Sequence, residues 1–509
     1  MILRKTAASI ALLCLTTLIS IIAGGVVPVR ASTLQTHAPI VIVGDGNFTA
    51  TNGVIGGNGT ASNPYIIEGW DIAELTVSNT KAYVVIRNVY IHSGVVTSFE
   101  RVVDFAAVSN VRMENLTVSD SVGADGVFLV LLSVRLSSNI VIYQSNIVSD
   151  MRSIGVLVSG STNVSISGNV ISHANPGVLC RGCGKVRVIG NSITNGGWGV
   201  ESDFSADVTI SGNTVASNTA HAIVYHGASG TITGNDIESN GYGGITAILN
   251  SPGSVVIADN RVDNNGWGLF GVNGMYGYGI RAPDGVLIFG NTISNNPIGL
   301  QAGDPSSSSL DRVYHNNFLD NLVQATFDIP NYECCEPFLL DNGYPSAGNF
   351  WSDYHGVDNC SGLNQNVCSA SDGIGDTPVV IAPTTIDHYP LMKPFAPTVT
   401  GTIRFQPASI ASQSAGGYLT ALVRLPIGFN RSNLIPSSIR LNDTITALSV
   451  APLNQPNGAS VLVVTFNMTQ VKSLLPRPGN YVLNFTGNLL TSTNFRPFQA
   501  AAIVRVFAI

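Results

Sequence analysis

The sequence predicts an all-β chain, a right-handed parallel β-helix of about ten coils followed by a small Ig-like β-sandwich. Two observations point to the helix and a third to the sandwich. The first is a repeat. Val164–Asn169 reads Val-Ser-Ile-Ser-Gly-Asn, Val186–Asn191 reads Val-Arg-Val-Ile-Gly-Asn, Val208–Asn213 reads Val-Thr-Ile-Ser-Gly-Asn, and Gly230–Asn235 reads Gly-Thr-Ile-Thr-Gly-Asn. Their asparagines recur every 22 residues, and the series runs on to Asn260, Asn291 and Asn316 or Asn317. Backwards it reaches Asn146, Asn115 and Asn88 by longer steps, which imply loop insertions. Self-similarity at this period marks a solenoid. Each unit alternates apolar and polar residues with period two, the pattern of a half-buried strand. A leucine-rich repeat has a similar period but a different leucine pattern. The repeated Asn is expected to be structural, because it tolerates left-handed turns and its amide can bond the next coil's Asn.

The second observation is composition. The chain has 53 glycines, only 11% charged residues and a net charge of −7. Such a chain suits short strands and tight turns. It lacks the clustered Lys and Arg of a nucleic-acid binder, so no nucleic-acid partner is expected. The third is a change of pattern. After Pro394 and Pro397, strands such as Tyr418–Leu425, Ser460–Phe466 and Tyr481–Phe485 alternate between turn signals, as in a sandwich of about seven strands.

The beginning of the chain has the grammar of export. Arg4 and Lys5 flank the apolar run Ala7–Val27, and Ala31 precedes Ser32 at a cleavage-like site. Residues 1–31 therefore read as a signal peptide, or as a retained N-terminal anchor and then the only contact with a membrane. Residues 32–75 read as an N-terminal cap, 76–395 as the β-helix with its C-terminal cap, and 396–509 as the sandwich. The expected location is secreted, cell-surface or periplasmic. Cysteines fall in local pairs, and export favours disulfides. Cys360–Cys368 is the leading pair and Cys180–Cys183 a second. Cys180-Arg-Gly-Cys183 also admits a soft-metal or redox reading, and a bond between the adjacent Cys334 and Cys335 would be strained. Nine N-x-S/T sequons fit a glycosylated surface.

Two segments carry a family resemblance. Gly53–Ile72 reads GVIGGNGTASNPYIIEGWDI, and Gly348–Tyr354 reads GNFWSDY, followed by DGIGDTP at Asp372–Pro378 and DHYPLM at Asp387–Met392. These resemble the entry and exit segments of NosD-like right-handed β-helix proteins, and with the coils the resemblance spans residues 40–395. It implies a β-helix, with either carbohydrate binding or cleavage or an accessory role in copper-site assembly. Copper rests on this resemblance alone. Phe350, Trp351 and Tyr354 are expected to cover the last coil, since a solenoid needs caps. The Asp-rich loop implied by the resemblance corresponds to Asp353, Asp358, Asp372 and Asp376. Four such oxygen donors would suit calcium, and solvated turn aspartates are the alternative.

Seven residues beyond the repeated asparagines lie Pro176, Trp198, Ala220, Tyr242 and Trp267, with His221 beside the gap in the aromatic row. Trp198, Tyr242 and Trp267 would form a platform for sugar rings, or else turn packing. The next strand carries Arg181, Glu201, Asp203, Tyr225 and His226 over three coils. Alternation should turn several of them outwards. Glu201 and Asp203, two apart on one strand, with His226, form a candidate acid–base set against a background of ordinary surface charge. Three functions follow. The first is a non-catalytic surface protein presenting the helix to glycans or cell-envelope polymers. The second is a polysaccharide lyase or glycoside hydrolase. The third is a copper accessory.

Overall fold

The computed structural model describes residues 34–92, 100–119, 129–268, 277–282, 285–303, 312–328, 339–383, 385–396, 398–413, 416–426, 429–453, 461–490 and 495–507. The expected leader and the Cys334–Cys335 pair lie outside the described residues.

Alternating Val and Ile make strands that bury one row of side chains, and those strands stack in parallel rungs. One sheet has thirteen strands, beginning with Gln35–Thr36 beside Trp70–Ile72 and ending with Asn317–Leu319 beside Phe350–Trp351. Two further sheets close the cross-section. In the middle coils they are two halves of the same long strands, such as Val200–Ser211 and His221–Thr233. We call the halves around Glu201 and Thr209 the first and second sheets, and the thirteen-stranded sheet the third. Val186, Val188 and Ile193 of one coil lie on Val208, Ile210 and Val215 of the next, all at or near zero exposure. Burying each such side chain contributes roughly 1.5–3 kcal/mol.

The corners hold the polar interior. Between the second and third sheets, Asn169, Asn191, Asn213, Asn235, Asn260, Asn291, Asn316 and Asn349 form one ladder. In it, the Asn191 amide N–H and Nδ2 both donate to Asn213 Oδ1, at 2.9 and 3.0 Å. The same pattern continues from Asn213 to Asn235 and on to Asn316 and Asn349. The left-handed turn belongs to the preceding residue, Gly168, Gly190, Gly212 and Gly234, and not to the Asn itself. The backward extension of the series is corrected. Leu116 and Ser145 stand where a ladder Asn would, with the Leu116 N–H donating to Ser145 Oγ. Asn88 and Asn115 occupy the left-handed position one residue earlier and bond each other, and Asn146 falls on the strand position of Val170. Of the two candidates at the end of the series, Asn316 is the rung. Asn317 instead holds Phe395 of the cap.

The far end closes on aromatic and acidic groups. Trp351 stacks on Phe318 at 4.4 Å, and its indole N–H donates to Asp387, which also takes the backbone N–H of Asn349. Asp387 thus accepts the last rung of the Asn ladder. Ala347, Ile374 and Leu391 of this cap share a buried cluster with Ile435 and Phe495 of the C-terminal domain, so the two parts pack together. That domain is a sandwich of a six-stranded and a four-stranded sheet around Leu419, Val464, Phe466, Phe485 and Phe498. Among the described residues, no helix is long and apolar enough to cross a membrane.

Candidate functional site

Strand alternation and rung register decide which predicted site residues meet. Arg181, Asp203 and His226 are direct neighbours on three successive coils and face outwards from the first sheet. Asp203 sits between the other two, 3.5 Å from Arg181 Nε and 3.3 Å from His226 Nδ1. Glu201, two residues earlier, leans on the same carboxylate. Its partial burial, the Asp203 charge and their shared hydrogen bond raise its pKa, while Arg181 opposes the rise.

Tyr225 does not join this face, which corrects its assignment as a ligand contact. It is 1% exposed and lies in the interior row of Cys180, Ser202 and Ala247. Its hydroxyl reaches across to the backbone carbonyl of Ser229. A Cβ at Gly227 would stand 2.6 Å from that hydroxyl, so the glycine makes room for it.

The aromatic row is re-registered. The coil after Trp198 carries one extra residue, so the Gly199 N–H bonds His221 O, and Val200 pairs with Ile223. His221, not Ala220, thereby fills the gap. Its ring meets Trp198 edge-on at 5.3 Å and Tyr242 edge-on at 5.8 Å, and stacks on Tyr278 at 5.8 Å. Tyr278 comes from two coils further on. Gly243 occupies the rung between, where a Cβ would lie 2.7 Å from the Tyr278 ring. Burial and the Arg281 charge push His221 down to about 4, so the ring is neutral near pH 7. Trp267 is exposed at one side of the row and donates its indole N–H to Asn295 O.

Phe204, next to Asp203, stands at the opposite end of its first-sheet strand from Trp198. It is 79% exposed and has φ 49°, at the corner position that Gly160 and Gly182 fill in the preceding coils. A bulky side chain in the left-handed region costs about 1–2 kcal/mol, so an exposed Phe there is held against local preference. The signal that could have exposed it is the break in the glycine column from Gly160 and Gly182 to Phe204.

The disulfide and metal expectations divide. Cys360 and Cys368 are bonded. Cys180 and Cys183 are free thiols, both buried, which corrects the pairing expected there. Cys183 takes the place of a serine in a corner ladder. Ser137 N–H donates to Ser161 Oγ, and Cys183 N–H to Ser205 Oγ, while the Cys183 thiol bonds Arg181 O and Val158 O. Its hydrogen bond with Cys183, together with burial, pushes the Cys180 thiol up. The same bond lowers Cys183, against its burial.

The loop aspartates hold the loop itself. Asp358 accepts the N–H groups of Asp372 and Gly373, Asp376 those of Asn359 and Cys360, and Asp372 that of Ile374. Among the described residues, no three His, Cys, Asp or Glu side chains converge as a metal site. Among the described residues, the loop carboxylates are thus engaged by backbone N–H groups of their own loop.

The NosD family, described as periplasmic copper-binding protein, matches residues 138–356. No curated protein matches the chain. Among solved structures, the periplasmic alginate epimerase AlgG is similar at 14% identity over 54% of this chain and 71% of that one, with a TM-score of 0.35. The tailspike of E. coli bacteriophage HK620, a double mutant in complex with a pentasaccharide, is similar at 11% identity over 80% and 86%, with a TM-score of 0.42. The chain is a NosD-like parallel β-helix that carries a β-sandwich on its far end.

Proposed function

We propose that this is an exported β-helix protein that binds a glycan or cell-envelope polymer, without catalysis, on the outer face of its first sheet. One observation carries the reading: Trp198, His221 and Tyr242 interlock over consecutive coils at the start of the first-sheet strands, whose ends carry the Arg181–Asp203–His226 row and the exposed Phe204 ring. Aromatic rings offer flat apolar surface for the faces of sugars, and the charged row offers donors and acceptors for their hydroxyls. Export is supported by the leader-like N-terminus and by the periplasmic description of the matching family.

The test is a glycan array followed by affinity measurement on any ligand found. Trp198→Ala should weaken binding by about tenfold or more, as loss of a central aromatic anchor does. No glycan ligand for the wild type, or none whose affinity falls in Trp198→Ala, would overturn the reading.

A second reading, a carbohydrate-active enzyme, is favoured by one observation, the Glu201 carboxyl raised against Asp203 beside His226. Glu201→Gln separates the two. A binder keeps its affinity and yields no products, whereas an enzyme loses turnover.

A further inference from the structure

The outer face of the second sheet, around the corner from the aromatic row, carries a groove of about 530 Å³. Two columns of side chains line it. Arg187, Thr209 and Thr231 are paired rung to rung along the strands, and Lys185, Asp207 and Ser229 follow one another at the corner. Asp207 is engaged along its own column, where it accepts the Ser229 hydroxyl at 3.1 Å.

The two cations stand apart from most of the β-helix's other basic groups. Arg87 pairs with Glu68, Arg112 with Glu114, Arg135 with Asp104, and Arg261 with Asp236, Glu238 and Asp263. Among the described residues, Lys185 and Arg187 have no carboxylate within ion-pair distance, though they project from one coil into the same groove. In a chain of net charge −7, two exposed cations beside a file of hydroxyls form a local site for negative charge. Arginine binds a carboxylate or sulfate through two parallel N–H bonds, and threonine hydroxyls suit the neutral oxygens between such groups. The rungs advance by about 4.8 Å, close to the length of one sugar unit in an extended chain, so a polymer lying along the axis stays in step.

We infer that this groove is a second glycan site, selective for polysaccharides bearing carboxylate or sulfate groups. It does not depend on the aromatic face. Two cations are too few for a nucleic-acid backbone, which presents a charge about every 1.7 Å.

The experiment uses the full chain on immobilised polygalacturonate, dextran sulfate and neutral dextran, with duplex DNA as the non-sugar polyanion. The wild type should retain on one or both acidic polysaccharides, and the arm that binds identifies carboxylate or sulfate as the recognised group. Lys185→Ala/Arg187→Ala should lower that retention about tenfold or more, while Trp198→Ala leaves it within about twofold. Lys185→Gln/Arg187→Gln repeats the test with the side-chain stems kept, and thermal unfolding of both variants shows that the coils persist. Equal retention on neutral dextran, equal retention on DNA, or wild-type retention by either double variant would overturn the inference. Loss of acidic retention in Trp198→Ala alone would assign the acidic ligand to the aromatic face instead.

Discussion

The interior corners and the outer face of the first sheet are built from the same coils, yet they follow opposite rules. At the corner between the second and third sheets, Asn191, Asn213, Asn235 and Asn260 repeat without change, each buried and each bonded to the next. On the outer face, one column of successive rungs reads Arg135, Ser159, Arg181, Asp203, His226 and Ile248. A buried amide has few partners and every coil offers the same ones, so the interior converges on one residue. The outer positions are free of that demand. A charged row and an aromatic cluster at one level of that face therefore call for an explanation other than folding.

The largest effect should come from breaking the interior rule. Asn213→Ala removes the acceptor for the Asn191 N–H and the donor to Val188 O, both buried. Stability should fall by about 3–5 kcal/mol, against less than about 0.5 kcal/mol for Thr209→Ala on the surface, measured by denaturant titration.

A pH-dependent effect should follow at the cap. Burial is the main cause that raises Asp387 to about 7, against the hydrogen bonds from Asn349, Trp351 and Tyr389. Because the folded pKa lies above the unfolded one, its contribution is fully present below about pH 4 and is lost as pH rises through about 7. Between pH 5 and 8 this should remove about 2–3 kcal/mol of stability, and Asp387→Asn should flatten that part of the profile.

The smallest effect should come from Cys183→Ser. Serine already fills the same corner at Ser161 and Ser205, so stability should change by less than about 1 kcal/mol. Cys183→Ala should cost more, because it strips the corner of the acceptor and donor that the thiol supplies.

The same contrast explains what could be read in the sequence. The Gly-Asn repeat, period-two alternation and the Trp351 cap are local patterns, and all of them speak of the β-helix. A second ladder, Asn218, Asn240, Asn265, Asn296 and Asn321, lies five residues after the first and was legible by the same spacing, although only one ladder was expected. The pairing of Arg181 with Asp203 was also legible, because alternation and the 22-residue step place them together, whereas His226 joins them only through a step of 23. The contribution of His221 was not, because one extra residue before Val200's partner shifts the register. Tyr278 was hidden further, because it reaches His221 only across the side chain that Gly243 lacks. Tyr225 was misread because the rung register places it inside, where two glycines accommodate its ring. The cysteines were misread because their spacing resembles a disulfide pair, whereas Cys183 follows the demand of the corner ladder.

Phe204→Gly tests the separation of interior and surface most directly, with unfolding free energy and glycan affinity measured on the same protein. Glycine relieves the left-handed backbone, so stability should hold or rise by up to about 1 kcal/mol while affinity falls several-fold. Unchanged affinity, or a loss of more than about 1 kcal/mol of stability, would contradict the view that this face serves a ligand and not the fold.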